Sequence, residues 1–400
     1  MNATIYLHKG KEESLLRFHP WVFSGAVKRI EGDIREGDLV EVCSSKGDFL
    51  GLGHYQIGSI AVRILSFQAR EIDRHFWKEK IINAWHCRQS LRIGSGNADS
   101  NTMRLIHGEG DGLPGLIVDL YGDTAVLQAH SVGMHRERHT IAELLCESIP
   151  PIRNVYYKSE TTLPFKADIP DTEREDGYLI GRCETTEPTA TENGLRFRID
   201  WLRGQKTGFF IDKRENRSLL EHYANGKDVL NMFCYTGGFS CYALRGGARL
   251  VHSVDSSAKA VELVNRNVTL NFDEETQKRH QAFAADAFKF LENIKDKYDL
   301  IILDPPAFAK HRSALRNALQ GYRKINARAF EQIRPGGILF TFSCSQAVNR
   351  EQFRLAVFSA AAISKRHVRI LHQLTQPADH PINIYHPEGE YLKGLVLQVE

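Results

Sequence analysis

The residues of this chain best suited to chemistry recur at the carboxyl ends of a series of apolar runs in its second half. Asn231-Met232-Phe233-Cys234-Tyr235-Thr236-Gly237-Gly238-Phe239 closes the first run, and Asp255 closes the second, 17 residues after Gly238. Asp286 closes the third, Asp304-Pro305-Pro306 the fourth and Ser343-Cys344-Ser345 the fifth. In an open α/β sheet, ligands bind beyond the carboxyl ends of the strands, so these positions are read first. A carboxylate at the position of Asp255 can accept both hydroxyls of a ribose, as in dinucleotide folds. Asp286 could accept a hydrogen bond from an adenine amino group, and the Gly237-Gly238 pair lies where a loop must pass close to a ligand before a helix starts.

Each feature also has a plainer reading. An Asp at a strand end is as often a helix cap, a glycine pair is often a tight turn, and Cys344 taken alone fits a small buried hydrophobe. Their joint order is the stronger signal. A nicotinamide site would want G-x-G-x-x-G at the first turn, which Gly237-Gly238 does not supply. The pattern occurs at Gly110, Gly112 and Gly115, but Pro114 lies inside it and a strand follows, so it reads as a hairpin turn. His135 and His139, four apart, lack H-E-x-x-H and a third ligand; no metal is expected and both are read as solvent-facing.

The elements that must position these residues follow from periodicity. After residue 190 the rhythm is strand, helix, strand, helix, with strands over 229–233, 250–255, 282–286, 298–304 and 337–343, helices over 239–244, 258–270, 287–294 and 350–364, and two closing strands. That alternation implies α/β architecture with a doubly wound parallel sheet. Residues 1–70 carry short β-type runs (38–43, 49–53, 60–67) broken by turn signals, which read as a small barrel. A helix over 72–92 follows, with Trp77, Ile81 and Trp85 on one face, then strands at 116–120, 124–128 and 154–157 around a helix near 133–147. The sequence thus predicts a barrel (1–70), a central α+β domain (71–190) whose acidic, Thr/Pro-rich end (168–193) is linker or surface hairpin, and the α/β domain (191–400).

Four hundred residues with 42% hydrophobic and 25% charged side chains suffice for packed cores, so disorder is not the default. Seven cysteines without a close C-x-x-C pair, and no N-terminal basic-then-apolar leader, point to a reducing, cytoplasmic compartment. No apolar stretch is long enough to span a membrane. The net charge of +3 divides unevenly: residues 1–190 carry −5 and residues 191–400 carry +8. Between Lys310 and Arg334, seven basic residues (Lys310, Arg312, Arg316, Arg323, Lys324, Arg328, Arg334) meet one acid, Glu331. Such a segment fits an anionic partner or a solvated helix face equally well.

The strand-end series resembles the class I S-adenosylmethionine-dependent methyltransferases, and Asp304-Pro305-Pro306 with Ser343-Cys344-Ser345 resembles the RlmI-type cytosine-5 methyltransferases of large-subunit (23S) ribosomal RNA. His19-Pro20-Trp21-Val22-Phe23-Ser24-Gly25 looks like that family's N-terminal PUA domain, an RNA-binding barrel, and Asp111-Gly112-Leu113-Pro114-Gly115 is similar to its central domain. Lys206 to Arg214 resembles the cofactor-flanking segment and Glu388 to Gly394 the closing strand, so the likeness spans the whole chain. Lys213 departs from it, standing where Gln is expected.

The resemblance implies S-adenosylmethionine as cofactor, held by Phe210, Asp212, Arg214, Asn231, Phe233, Cys234, Tyr235, Gly237, Gly238, Asp255, Ser256, Asp286, Ala287, Asp304 and Pro305. It implies a covalent mechanism in which the Cys344 thiolate adds to carbon 6 of cytosine and Asp304 orients the base. Cys241 is expected to pack in a helix. Lys310, Arg312, Arg323 and Lys324 would anchor phosphates around a flipped nucleotide, with Lys9, Lys11, Arg17, Lys28 and Arg63 as further RNA contacts. The implied partner is 23S rRNA or a large-subunit precursor, with a homodimer also conceivable. Methylation of an exocyclic amine is the competing enzymatic reading, weakened because Ala307 occupies the fourth position of D-P-P-Y/F and Phe308 comes one late. A non-catalytic RNA-binding assembly factor is the reading from another class.

Overall fold

Alternation along residues 39–43 and 60–66 turns Val40, Val42, Val62 and Ile64 to one side, where they bury with Ile5, Leu7 and Val22. This computed structural model describes residues 3–93, 99–164, 167, 169–185, 188–309 and 311–400. The barrel strands are β1 (Ala3–Leu7), β2 (Trp21–Phe23), β3 (Val27–Glu31), β4 (Leu39–Cys43), β5 (Phe49–Tyr55) and β6 (Ile60–Ser66). They are ordered β2-β6-β5-β4-β1-β3, with β1 and β4 parallel. The three β-type runs seen in the sequence are β4, β5 and β6; of the others, β2 has only three residues and β3 is exposed at four of its five.

The helix Arg74–Ser90 starts where Asp73 accepts the Phe76 N–H at 2.9 Å. Its Trp77, Ile81 and Trp85 enter one core with a second sheet, made of β7 (Thr102–His107), β8 (Leu116–Tyr121), β9 (Thr124–Ala129), β10 (Asn154–Tyr157) and β11 (Gly177–Ile180) in the order β11-β10-β9-β8-β7. Gly110, Gly112 and Gly115 lie in the connection between antiparallel β7 and β8, a hairpin as expected. Strand β11 falls inside the stretch read as linker: it is a short, half-buried edge strand without alternation, and it pairs only with β10. His135 corrects the solvent-facing expectation, since its Nδ1 lies 2.6 Å from the Tyr157 hydroxyl in the interior; His139 is exposed.

The chain divides into two units, one of Met1–Thr191, Ile199–Ile211 and Ala378–Gly389, the other of Glu192–Arg198, Asp212–Pro377 and Glu390–Glu400. Two short strands, β12 (Thr189–Glu192) and β13 (Leu195–Arg198), fall where the chain passes from one to the other. The second unit is built on β14 (Asp228–Met232), β15 (Leu250–Asp255), β16 (His280–Ala284), β17 (Leu300–Leu303), β18 (Gly337–Ser343), β19 (Val368–Leu374) and β20 (Lys393–Val399). Their order is β16-β15-β14-β17-β18-β20-β19. The first five are parallel, whereas β20 runs antiparallel to both β18 and β19. Strands β14, β17 and β18 are buried almost throughout, as parallel strands covered on both faces must be. Among the described residues no helix is long and apolar enough to cross a membrane.

Candidate active site

Strand order reverses between β14 and its neighbours β15 and β17, so the loops after these strands form the crevice of the sheet. The loop after β14 carries two non-glycine residues in the left-handed region, Phe233 (φ 58°) and Tyr235 (φ 45°), followed by Gly237 (φ 78°). Asp255 holds this loop: its Oδ2 accepts the Tyr235 N–H at 3.0 Å and its Oδ1 the Ser257 N–H at 2.9 Å. One N–H per oxygen leaves the carboxylate further capacity to accept hydroxyl donors. Asn231 is buried and donates to Ser240 Oγ at 2.8 Å, which continues through Ser253 Oγ to His280 Nε2 and ties β14, β15 and β16 together.

Packing constrains the glycine pair: a Cβ on Gly237 would stand 2.8 Å from Val264, and one on Gly238 would stand 3.0 Å from the Arg217 side chain. Asp286 does act as a cap, accepting the Lys289 N–H at 3.0 Å, while remaining exposed. Ser256 is exposed, Ala287 and Cys234 are buried, and Cys241 packs inside the helix Gly238–Arg245 as expected.

Asp304 follows β17 directly. Lys213 Nζ lies 3.4 Å from its Oδ2 and 3.3 Å from Asp212 Oδ1, and the other Asp212 oxygen accepts from the Tyr391 hydroxyl at 2.9 Å. Burial pushes the Asp304 carboxyl up, against the pull of Lys213. Burial also opposes the Lys213 charge, but Asp212, Asp304 and Cys344 outweigh it and hold the ammonium above its ordinary range. Behind this group Arg217 makes a two-pronged pair with Glu192, at 2.8 and 2.6 Å. Arg214 is buried at the start of the helix Arg214–Tyr223.

Cys344 follows β18 and is partly open, with Sγ 4.0 Å from the Pro305 carbonyl oxygen. The serines beside it are anchored: Ser343 and Ser345 each bond the Tyr322 hydroxyl at 2.9 Å. Lys393 donates to the carbonyls of Ser345 and Tyr391, at 2.8 and 2.7 Å; burial pulls its ammonium down to about 8. The sequence shows Lys393 inside E-G-E-Y-L-K-G without giving it a role, because its antiparallel partner Ser343 lies 50 residues away. The Phe308 ring packs against Tyr322, centroids 4.7 Å apart.

Phe210 lies in the other unit, its ring 5.3 Å from Lys206 Nζ. His380 and His386 also belong there: His380 is buried beside Asp379, and His386 packs on Trp21 with ring centroids 4.3 Å apart. Arg63 corrects its assignment as a surface RNA contact, because its side chain is only 12% exposed, 3.8 Å from Glu109 and over the Trp21 ring. Lys9, Lys11, Arg17 and Lys28 are exposed, as are Arg316, Arg323 and Lys324. Lys310 and the side chain of Arg312 lie outside the described residues. Arg328 and Arg334 are in ion pairs with Glu331 and with Asp228 and Asp299. Among the described residues no His/Cys/Asp/Glu group could hold a metal ion.

A family model for S-adenosylmethionine-dependent methyltransferases matches residues 170–385, and one for PUA-like domains matches residues 5–67. Sheet order, strand-end carboxylates and this match together define a class I S-adenosylmethionine-dependent methyltransferase domain behind a PUA barrel and a central α+β domain. Over 404 residues the chain is 38% identical to "Ribosomal RNA large subunit methyltransferase I" of Tolumonas auensis and 39% identical to that of Aeromonas hydrophila, covering 100% of both chains in each case. The same protein of Alteromonas mediterranea is 40% identical over 405 residues, 100% of this chain and 99% of its own. The chain belongs to the ribosomal RNA large subunit methyltransferase I family. A methyltransferase structure from Streptococcus mutans (TM-score 0.83, 21% identity) and one complexed with SAH (TM-score 0.85, 22% identity) share the fold over 100% of both chains.

The described residues fit the cofactor. Asp255 keeps accepting capacity at the end of β15, and the loop after β14 turns its backbone through left-handed positions beside it. Asn231 Oδ1 is buried without a hydrogen-bond partner among the described residues.

Proposed function

We propose that this protein methylates carbon 5 of a cytosine in large-subunit (23S) ribosomal RNA through a covalent adduct with Cys344, in the cytoplasm, on free rRNA or a subunit precursor. The curated relatives are named for methylation of large-subunit ribosomal RNA. What carries the carbon 5 reading is the partly open Cys344 thiol at the end of β18, 4.0 Å from the backbone of the Asp304-Pro305 motif. Bound S-adenosylmethionine supplies an electrophilic methyl group.

Carbon 5 of cytosine is a poor nucleophile. Addition of the Cys344 thiolate to carbon 6 makes it enamine-like. Asp304, whose carboxyl is raised by burial, can share a proton with N3 as charge builds on the ring. Loss of the carbon 5 proton and departure of the thiolate then restore the aromatic ring. Exposed Arg323 and Lys324, with Arg316, offer phosphate contacts for the flipped nucleotide. Phe308, one position late for D-P-P-Y/F, packs on Tyr322 with ring centroids 4.7 Å apart.

The test is RNA carrying 5-fluorocytidine at the target. It should form an adduct that survives denaturation, and Cys344→Ala should abolish both adduct and methyl transfer. A Cys344→Ala protein that still methylates RNA would move the assignment to an exocyclic amine. No transfer to any RNA by the intact protein would favour an assembly factor.

A further inference from the structure

Two buried lysines reach the two motifs that meet at the Cys344 thiol, Lys213 at Asp304 and Lys393 at the Ser345 carbonyl, and their partners differ in kind. Lys213 sits between Asp212 Oδ1 and Asp304 Oδ2, at 3.3 and 3.4 Å, and stays charged. Lys393 comes from β20, which pairs residue for residue with β18 so that Lys393 lies opposite Ser343, immediately before Cys344. It is 3% exposed, and its hydrogen-bond partners are neutral carbonyls, those of Ser345 and Tyr391. The other charges that act on it are Glu390 on its own segment and Arg350 at the start of the helix Arg350–Ser364, and these two are paired with each other.

An ammonium between carboxylates is held in its charged form, whereas burial without a carboxylate partner favours loss of the proton, against the carbonyls that accept its hydrogen bonds. We propose that Lys393 accepts the proton of Cys344, creating the thiolate, while Lys213 provides the fixed positive charge that holds the anion. This rests on the reading of Cys344 as nucleophile. The S–H bond breaks with its electron pair left on sulfur, and the proton forms an N–H bond on the neutral Nζ of Lys393. When the sulfur later leaves carbon 6 as thiolate, the Lys393 ammonium can return that proton. Lys393 acts through the thiol and is a positioning residue.

The reporter is the rate of Cys344 alkylation by iodoacetamide, followed peptide by peptide by mass spectrometry across pH, on the full chain without RNA. Lys393→Met should move the alkylation midpoint upward by about one pH unit or more. Lys393→Arg, which keeps the charge, should leave it at or below that of the parent protein. Lys213→Gln should also raise it. If thermal melting shows Lys393→Met unfolded, Lys393→Gln, which can still donate to the carbonyls, gives the same readout. A midpoint indifferent to the loss of the Lys393 charge overturns the proposal. A midpoint that rises in Lys393→Met while Cys344→Ala still methylates RNA upholds the lysine–thiol pair and overturns the carbon 5 reading instead.

Discussion

Lys213 Nζ stands 3.4 Å from Asp304 Oδ2, joining the turn before the helix Arg214–Tyr223 to the end of β17. It stands 3.3 Å from Asp212 as well, so a single ammonium separates two carboxylates in the interior. The position at which this chain carries lysine where the family resemblance leads one to expect glutamine is therefore also the electrostatic centre of the site. Two like charges cannot both stay ionised at close range without such a partner.

Replacing Lys213 by Met should lower stability by about 3 kcal/mol, the usual scale for stranding buried charge, with Lys213→Gln losing less. The folded protein raises this lysine above its unfolded value, which is roughly 10.4. Its contribution is therefore complete below that pH and is lost only as pH rises through the folded value. The deficit of Lys213→Met should persist across neutral pH and shrink in acid, where the carboxylates take up protons. Urea unfolding at several pH values measures it; a variant as stable as the parent at neutral pH would mean that the carboxylates do not depend on this cation.

Asp255→Asn tests the cofactor crevice. Both Asp255 oxygens accept backbone N–H groups of the neighbouring loops, at 3.0 and 2.9 Å. The amide replaces one acceptor with a donor that faces an N–H. Losing a charge-assisted contact of this kind costs about 1.5–3 kcal/mol, so calorimetry should find S-adenosylmethionine binding weakened roughly 10- to 100-fold. Unchanged affinity would remove Asp255 from the cofactor site.

Local pattern made much of this fold readable. Trp77, Ile81 and Trp85 announced a helix and its buried face, and the strand-ending positions of Asp255, Asp304 and Cys344 followed from apolar runs closed by polar residues. What stayed hidden depends on contacts between distant segments. Lys213 and Lys393 are 180 residues apart, and only the β18–β20 pairing brings Lys393 to the end of the strand that carries Cys344. Arg63 counts as a surface charge until Trp21 and Glu109 close over it. Residues 378–389 look like a continuation of the last domain, yet Asp379 and His380 are buried in the first unit, where Asp379 Oδ2 accepts the Arg104 N–H at 3.0 Å.

Gly237→Ala should destabilise through the fold itself. Its φ of +78° belongs to the left-handed region, and a Cβ would press to 2.8 Å from Val264. The backbone conformation alone costs about 1–2 kcal/mol, and the clash adds to it. Thermal melting without cofactor should show the full loss. A deficit that appears only with cofactor bound would shift the role of Gly237 from packing to ligand approach.

Stability should fall in mild acid because His54 and His135 are buried neutral. Burial lowers both to about 4, against roughly 6.5 in the unfolded chain. Below that unfolded value the unfolded chain binds more protons than the folded one, so stability drops as pH falls from about 6.5 towards 4. Each proton taken up only by the unfolded chain removes about 1.4 kcal/mol per pH step of one, so each histidine can withdraw roughly 3 kcal/mol over this window. The two differ in what removal leaves behind: His135 bonds the Tyr157 hydroxyl at 2.6 Å, whereas a Cβ on Gly133 would lie only 2.2 Å from the His54 ring. His135→Gln can still bond that hydroxyl and no longer titrates, so it should remove only that histidine's share, roughly 3 kcal/mol, from the acid limb, because burial lowers His107, His130 and His280 as well. Guanidinium unfolding at pH values across the window measures the slope, and an unaltered slope would locate the acid sensitivity elsewhere.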